Sequence, residues 1–248
     1  MRRTMRTTTK LQNGMDKDIV SNIVLEYRAS SIALREGSTL ETPELVIGNV
    51  SDGNYTRAEE DGTLVAVGDA KCWRDEASPL IGQKLYSDAG RIDYDYDEGA
   101  VNFNSNANLN DWVIINKQLN HDYDEVTPLR PHIHWFQAED ATPNFLLEYR
   151  WQMNGSAKTQ TWTRLIVDST PVYEYQSGTF NQISRFPEVA PPEDVSTSDI
   201  IQYRIYRDSA NASGLFSGAD AYTADSLATS FDSHISIDML GSRTEFTK

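Results

Sequence analysis

Two neighbouring runs of sequence are the best guide to the fold class: Phe145-Leu-Leu-Glu-Tyr-Arg-Trp-Gln-Met-Asn-Gly-Ser156 and, shortly after it, Gln160-Thr-Trp-Thr-Arg-Leu-Ile-Val167. Aromatic and β-branched residues fill these runs, which is typical of strands on a half-buried pleated surface. The Asn154-Gly155 pair between them favours a tight turn, because both residues tolerate the positive φ of a type I′ hairpin. We therefore predict that strands 145–151 and 161–167 pair through this turn.

The same period of two recurs along most of the chain, and it predicts strands rather than helices. Helix evidence is thin, and a short segment at 219–229 is the best candidate. Many short strands separated by turn signals predict an all-β fold, an antiparallel β-sandwich. The other predicted strands are 91–97, 100–104, 112–116, 200–206 and 234–239.

The domain organisation that we predict is an N-terminal arm and attachment or assembly segment over residues 1–53, and the β-sandwich over residues 54–248. The first ten residues contain four basic side chains and no acidic one, whereas the whole chain has a net charge of −15. Such an extended basic arm could order against an acidic neighbouring subunit. The four predicted assembly residues are Arg2, Arg3, Arg6 and Lys10.

Composition argues against two classes of partner. The acidic charge and the sequence pI of about 4.6 disfavour nucleic acid, which proteins bind by neutralising phosphates. No apolar run approaches the length that crosses a bilayer, and no apolar segment follows the basic N-terminus, so we expect neither a membrane partner nor a secretion signal. The lone cysteine, Cys72, cannot form an intrachain disulfide, and we expect it to be a small buried residue beside Trp73.

A possible metal site is the sharpest chemical pattern in the sequence. His132 and His134 lie two residues apart, so a strand would point both imidazoles to one face. With Glu139 they could form a two-histidine, one-carboxylate set for iron or manganese. This pattern resembles the first motif of cupins, but it lacks that motif's glycine-framed lead-in. We prefer the interpretation that both histidines are structural, and we predict no metal, no cofactor and no catalytic residue.

Acidic and aromatic residues leave two weaker possibilities open. Acids in two clusters could suggest calcium or a glycosidase carboxylate pair. Because the first cluster alternates with apolar residues, we expect it to be the solvated face of a strand. Aromatic side chains could bind sugars, although most occupy alternating strand positions where core packing is the commoner role. The acids are Asp93, Asp95, Asp97, Asp122 and Asp124.

Four short motifs follow one another along the chain: Arg130-Pro-His-Ile-His-Trp-Phe-Gln137, Phe145-Leu-Leu-Glu-Tyr-Arg-Trp151, Tyr203-Arg-Ile-Tyr-Arg-Asp208 and Gly241-Ser-Arg-Thr-Glu-Phe-Thr-Lys248. In content and order, they resemble motifs of a group of tailed-phage virion proteins. The resemblance covers roughly the last two thirds of the chain. It implies a jelly-roll-like sandwich and a place in the virion, after synthesis in the host cytoplasm. In the closing motif, Arg243 and Glu245 are predicted to contribute to assembly.

The resemblance implies a non-enzymatic structural protein on the capsid or the neck. It would be a decoration, cement, head-fibre-base or collar component that contacts major capsid or neck and portal proteins. A homo-oligomer is expected, with a trimer favoured. Two rivals remain open: a cupin-like metal-dependent enzyme, and a carbohydrate-binding receptor module.

Overall fold

The computed structural model describes residues 45–59, 63–168 and 170–239. These residues belong to two compact units, Met1–Lys71 and Cys72–Lys248. The predicted assembly residues fall outside the described ranges. They are Arg2, Arg3, Arg6, Lys10, Arg243 and Glu245.

The first unit contains a small antiparallel sheet of three strands in the order β1-β2-β3. Gly53, with a φ of 73°, closes the turn between β1 and β2, and its N–H donates to the Val50 carbonyl at 3.1 Å. None of the described residues of this unit whose exposure is known is buried. Asn54, the predicted start of the sandwich, begins β2 of this sheet. The strands are β1 Leu45–Asn49, β2 Asn54–Ala58 and β3 Leu64–Val67.

The second unit is a sandwich of two antiparallel sheets, so the predicted fold class is confirmed. One sheet has the order β11-β10-β13-β8-β5, and the other has the order β12-β9-β14-β7-β6, with β4 also pairing with β14. Successive strands from β11 to β14 alternate between the two sheets. The strands are β4 Cys72–Pro79, β5 Lys84–Ser87, β6 Ile92–Asp95, β7 Ala100–Phe103, β8 Asp111–Gln118, β9 Arg130–Gln137, β10 Phe145–Gln152, β11 Thr163–Ile166, β12 Phe180–Arg185, β13 Ile200–Arg207 and β14 Ser226–Ile237.

Aromatic contacts join the two sheets across the core. The Trp135 ring on β9 meets the Phe145 ring on β10 edge to face, with centroids 5.9 Å apart. Tyr203 on β13 and Phe231 on β14 lie 4.7 Å apart, and all four side chains are fully buried. Burying one large apolar side chain stabilises a fold by about 1.5–3 kcal/mol, so this line of rings fixes how the sheets face each other.

The predicted hairpin is confirmed in its pairing but not in its turn. Strands β10 and β11 are antiparallel, with Tyr149 opposite Thr163. The Ser156 N–H donates to the Met153 carbonyl at 3.2 Å, and Gly155 has a φ of 74°. Because a type I′ turn needs positive φ at both central residues and Asn154 does not have it, that turn type is wrong.

Two further predictions are corrected. The segment predicted as a helix is a loop followed by β14, which begins at Ser226 and runs for 12 residues. Pairing with β7 and β9 on its two sides overrides the weak helical preference. Cys72 is exposed rather than buried, because it opens β4 at the edge of its sheet. No helix among the described residues has the length and apolar character to span a membrane.

Candidate functional site

Three neighbouring strands bring histidines and carboxylates to one face of the six-stranded sheet. Strand β14 lies between β9 and β4, with His132 opposite Asp232 and Asp75 opposite His234. His134, two residues after His132, points to the same face. We call His132, His134, His234, Asp75 and Asp232 the histidine–carboxylate cluster. The alternate residues of β9, Ile133 and Trp135, are buried in the core, so the cluster is on the outer face of the sandwich.

The inner part of the cluster is centred on one carboxylate oxygen. His134 Nε2 lies 2.8 Å from Asp232 Oδ2, and His132 Nε2 lies 3.7 Å from the same atom. His132 Nδ1 lies 3.5 Å from the Arg130 carbonyl oxygen, the outer limit for a hydrogen bond. If the ring is neutral and Nδ1 carries the proton, the Nε2 lone pair faces the carboxylate.

The outer part of the cluster is more exposed. His234 Nε2 contacts the Asp75 carboxylate, and the centroid of the His234 ring lies 4.7 Å from that of the His132 ring. The side chains of His234 and Asp75 are 45% and 60% exposed, whereas that of His132 is 7% exposed. His132 is therefore the buried centre that the inner and outer parts share.

Electrostatics favour a neutral His132 beside an ionised Asp232. Burial lowers the pKa of His132, and the neighbouring imidazoles of His134 and His234 lower it further, against the attraction of Asp232. Burial alone would raise the pKa of Asp232, but the hydrogen bond from His134 and the two nearby imidazoles outweigh it and lower that pKa. These are the protonation states in which both side chains can bind a cation.

Glu139 does not join this cluster, although the sequence suggested it as the third ligand. Its carboxylate accepts hydrogen bonds from the backbone N–H groups of Thr223 and Ala224, and from the Thr223 hydroxyl at 3.0 Å. It thereby anchors the loop that leads into β14. Asp232 takes the place expected for Glu139. The Asp-Ser-His alternation at 232–234 was a usable signal, but only the pairing of β14 with β9 reveals its meaning.

The acidic residues considered for calcium are separated. Asp122 forms a two-point ion pair with the Arg74 guanidinium, at 2.5 and 2.7 Å. Asp124 accepts from the Thr127 hydroxyl, and Asp95 accepts from the Glu98 N–H at 3.0 Å. Within the described ranges, neither group of side chains with metal-binding geometry includes these aspartates.

Aromatic residues on the outer face of the five-stranded sheet stack with arginines. Arg204 lies over the rings of Trp112 and Trp162, at 4.6 and 4.0 Å from their centroids. Arg150 lies 4.3 Å from the Trp162 centroid, and Tyr86 stacks on Trp112 at 5.0 Å. Guanidinium groups thus occupy ring faces that a sugar would need.

A cavity of about 590 Å³ lies among loops away from the cluster. Asp199, one of its lining residues, accepts hydrogen bonds from the N–H groups of Asn154 and Ser196, at 2.7 and 2.8 Å. Its carboxylate therefore holds two loops together. None of the five cluster residues lines this cavity.

The motifs of the resemblance that are described lie on β9, β10 and the end of β13. Comparison with known proteins found no matching family model, no matching curated protein and no matching solved structure. The function is therefore inferred from the residues and their geometry.

Proposed function

We propose that this protein is a non-enzymatic structural component of a tailed-phage virion, attached to the capsid or the neck. The observation that best supports this proposal is that polar side chains of the described resemblance motifs form hydrogen bonds and ion pairs within the sandwich. In the described part of the chain, these side chains mostly bind other parts of the sandwich. Such a pattern suits a scaffold whose motifs maintain a shape.

Glu148, in the second motif, is the first example. Its buried carboxylate accepts a hydrogen bond from the Tyr206 hydroxyl at 2.6 Å and from Arg164 Nε at 2.9 Å. Tyr206 belongs to the third motif, so this contact joins two motifs across paired strands. The pKa of Tyr206 is raised, by burial first and by Glu148 second, which keeps its hydroxyl a proton donor.

Arg207 and Asp208, which close the third motif, are the second example. The Arg207 side chain is fully buried, pairs with Asp220 at 2.8 Å and donates to the Ala224 carbonyl at 2.7 Å. The Asp208 carboxylate accepts from the N–H of Ala212 at 2.7 Å and fixes the loop after β13. These groups hold loops of the sandwich in place.

The first unit supports a role in assembly. Its three-stranded sheet exposes Ile47, whose exposed fraction is 59%, and the turn between β1 and β2 exposes Val50 to the same extent. A three-stranded sheet needs a hydrophobic face or packing against another element to be stable on its own, so these apolar side chains favour coverage by another surface. Other copies of the same chain could supply such a surface, because most soluble oligomers are symmetric assemblies of identical subunits. We therefore propose that the first unit joins copies of the chain, with a trimer favoured, and attaches them to capsid or neck proteins.

Light scattering on the full chain and on residues 72–248 tests the oligomer. The proposal expects a trimer for the full chain and a monomer for the truncated one. If the full chain remained monomeric at high concentration, the proposal that the first unit joins copies of the chain would be contradicted.

Virion attachment is tested with particles that lack this protein. Full-length protein and protein lacking residues 1–14 are added at low and high salt, and occupancy is measured by quantitative mass spectrometry. The basic arm should raise occupancy at low salt, since screening weakens charge contacts. Equal occupancy for both forms would mean that another part of the chain attaches to the virion. If neither form bound, a virion role would be contradicted.

The two rival functions have less support. The histidine–carboxylate cluster could serve an enzyme, but it lies on an outer sheet face away from the cavity. A carbohydrate-binding module would need open aromatic faces, and arginines cover Trp112 and Trp162. Incubating the sandwich with a glycan array tests this second rival directly.

A further inference from the structure

We propose that the histidine–carboxylate cluster binds one divalent transition-metal ion of the zinc class. The ligands are Nε2 of His132, Nε2 of His134 and the carboxylate of Asp232. This inference is independent of the virion role, since it rests only on the outer face of the six-stranded sheet.

The spacing of the ligand atoms suits such an ion. One ligand atom from each of the three side chains lies within 4.8 Å of the others. Two of these separations, from Asp232 Oδ2 to the imidazole nitrogens, are 2.8 and 3.7 Å. Zinc binds nitrogen and oxygen at about 2.0–2.2 Å, so its ligands stand about 3–3.5 Å apart. Shifts of a few tenths of an ångström would bring these two separations into that range.

An unsatisfied polar atom points to the same place. Asp232 Oδ1 is buried and has no hydrogen-bond partner among the described residues. A buried carboxylate oxygen without a partner is costly. A cation between Asp232 and the two imidazoles would compensate both its charge and the Nε2 lone pair of His132.

The surroundings explain the choice of ligands. His132 also belongs to a second possible group with His234 and Asp75. We assign the ion to the Asp232 group because Asp232 is nearly buried, whereas the side chain of Asp75 is 60% exposed and already paired with His234. The Arg130 carbonyl lies close enough to orient His132 through Nδ1.

The ligand set also predicts selectivity. Imidazole ligands suit zinc, iron, nickel and copper, whereas calcium and magnesium prefer oxygen ligands. The ion would join β9 to β14 across the sheet, so it should stabilise the fold when bound. It would have a positional role between strands, without a substrate pocket.

The test uses the untagged full-length chain, stripped with a chelator and titrated with zinc by calorimetry. We expect one zinc per chain, a rise in Tm with zinc, and no comparable effect of calcium. His134→Gln and Asp232→Asn should weaken zinc binding by about 100-fold or more, since losing even a supporting partner costs about 10–100-fold. His121→Gln is the matched control, because His121 hydrogen-bonds Ser198 away from the cluster and should leave binding unchanged.

Cobalt titration of the wild-type chain keeps the test decisive if a variant fails to fold. Visible absorption bands that saturate at one cobalt per chain, and that zinc abolishes, are the expected result. Absence of saturable zinc and cobalt binding would overturn the proposal. Zinc binding that survives Asp232→Asn but is lost in His234→Gln would also overturn it, because the ion would then belong to the Asp75 group.

Discussion

Arg207 shows how a charged side chain is accommodated at the centre of this sandwich. Its guanidinium has an acidic partner in Asp220 and backbone carbonyl partners at Phe103, Tyr222 and Ala224. Burying a charge is costly unless pairing and hydrogen bonds compensate it, and here several groups do so. The sequence motif indicated a strand ending in Arg-Asp. It contained no signal that this arginine fastens the loop before β14.

Replacing this arginine should therefore be severely destabilising. Arg207→Met leaves Asp220 buried without its partner, and breaking a buried pair from one side costs about 3–5 kcal/mol. Urea unfolding of the purified protein measures the loss. Arg185→Met is the control, because Arg185 is exposed on β12 and should cost little. A loss below about 1 kcal/mol for Arg207→Met would contradict the assigned role.

Glu139 allows a pH test of its anchoring role. Burial alone would raise its pKa, but hydrogen bonds from the Ala224 and Thr223 N–H groups and the Thr223 hydroxyl outweigh it, so the pKa falls below the ordinary 4.5. A carboxylate with a lowered pKa stabilises the fold above its ordinary pKa, and this stabilisation is lost as the pH falls through the lowered value.

Glu139→Gln should accordingly cost about 1 kcal/mol at pH 7, the size of a typical hydrogen-bond contribution. The difference between wild type and variant should shrink below pH 4.5, where the wild-type carboxylate begins to protonate. Denaturant unfolding at pH 7 and at a pH below 4.5 measures this difference in stability. A difference that is constant with pH would mean that the charge of Glu139 is irrelevant.

At the scale of elements, alternation in the sequence predicted strands well and their partners poorly. Residues 91–97, 112–116 and 200–206 contain or lie within β6, β8 and β13, because period-two patterns are local. Sheet order depends on contacts between distant segments, which no local pattern encodes. For this reason, the sequence found two of the proposed metal ligands on one strand and missed Asp232 on another.

The β10–β11 connection gives a test of turn chemistry. Gly155 has a φ of 74°, and a Cβ added there would meet no atom within 4 Å. Gly155→Ala should therefore cost only the left-handed backbone penalty, about 1–2 kcal/mol. Gly218→Ala is the matched control, since its φ is outside this region and its surroundings are equally open. Thermal unfolding measures both, and equal stability of the two variants would refute a strained turn.

On the scale of the whole molecule, the two units differ in what stabilises them. The buried hydrophobic residues of the described chain run from Leu80 to Ile235, within the second unit. The first unit contributes none, so its sheet needs another surface while the sandwich has a core of its own. Acidic composition and a basic arm indicated an assembly role from the sequence, but only the structure shows that the buried hydrophobic residues of the described chain all lie in the second unit.

The sandwich should consequently fold without the first unit. A protein of residues 72–248 retains every buried hydrophobic residue of the described chain and the whole of β4. We expect a β-rich circular dichroism spectrum and one cooperative thermal transition, close to that of the sandwich in the full chain. This expectation follows because none of the removed residues whose exposure is known is buried.

A shorter protein, residues 80–248, is the control for this truncation. It also lacks β4, whose eight residues pair with β14 from Cys72 to Pro79. Removing that strand exposes one edge of β14 and withdraws Asp75 from the cluster, so its Tm should fall clearly. If residues 72–248 were as unstable as residues 80–248, the sandwich would depend on the first unit for folding, and the role proposed for that unit would have to include the fold itself.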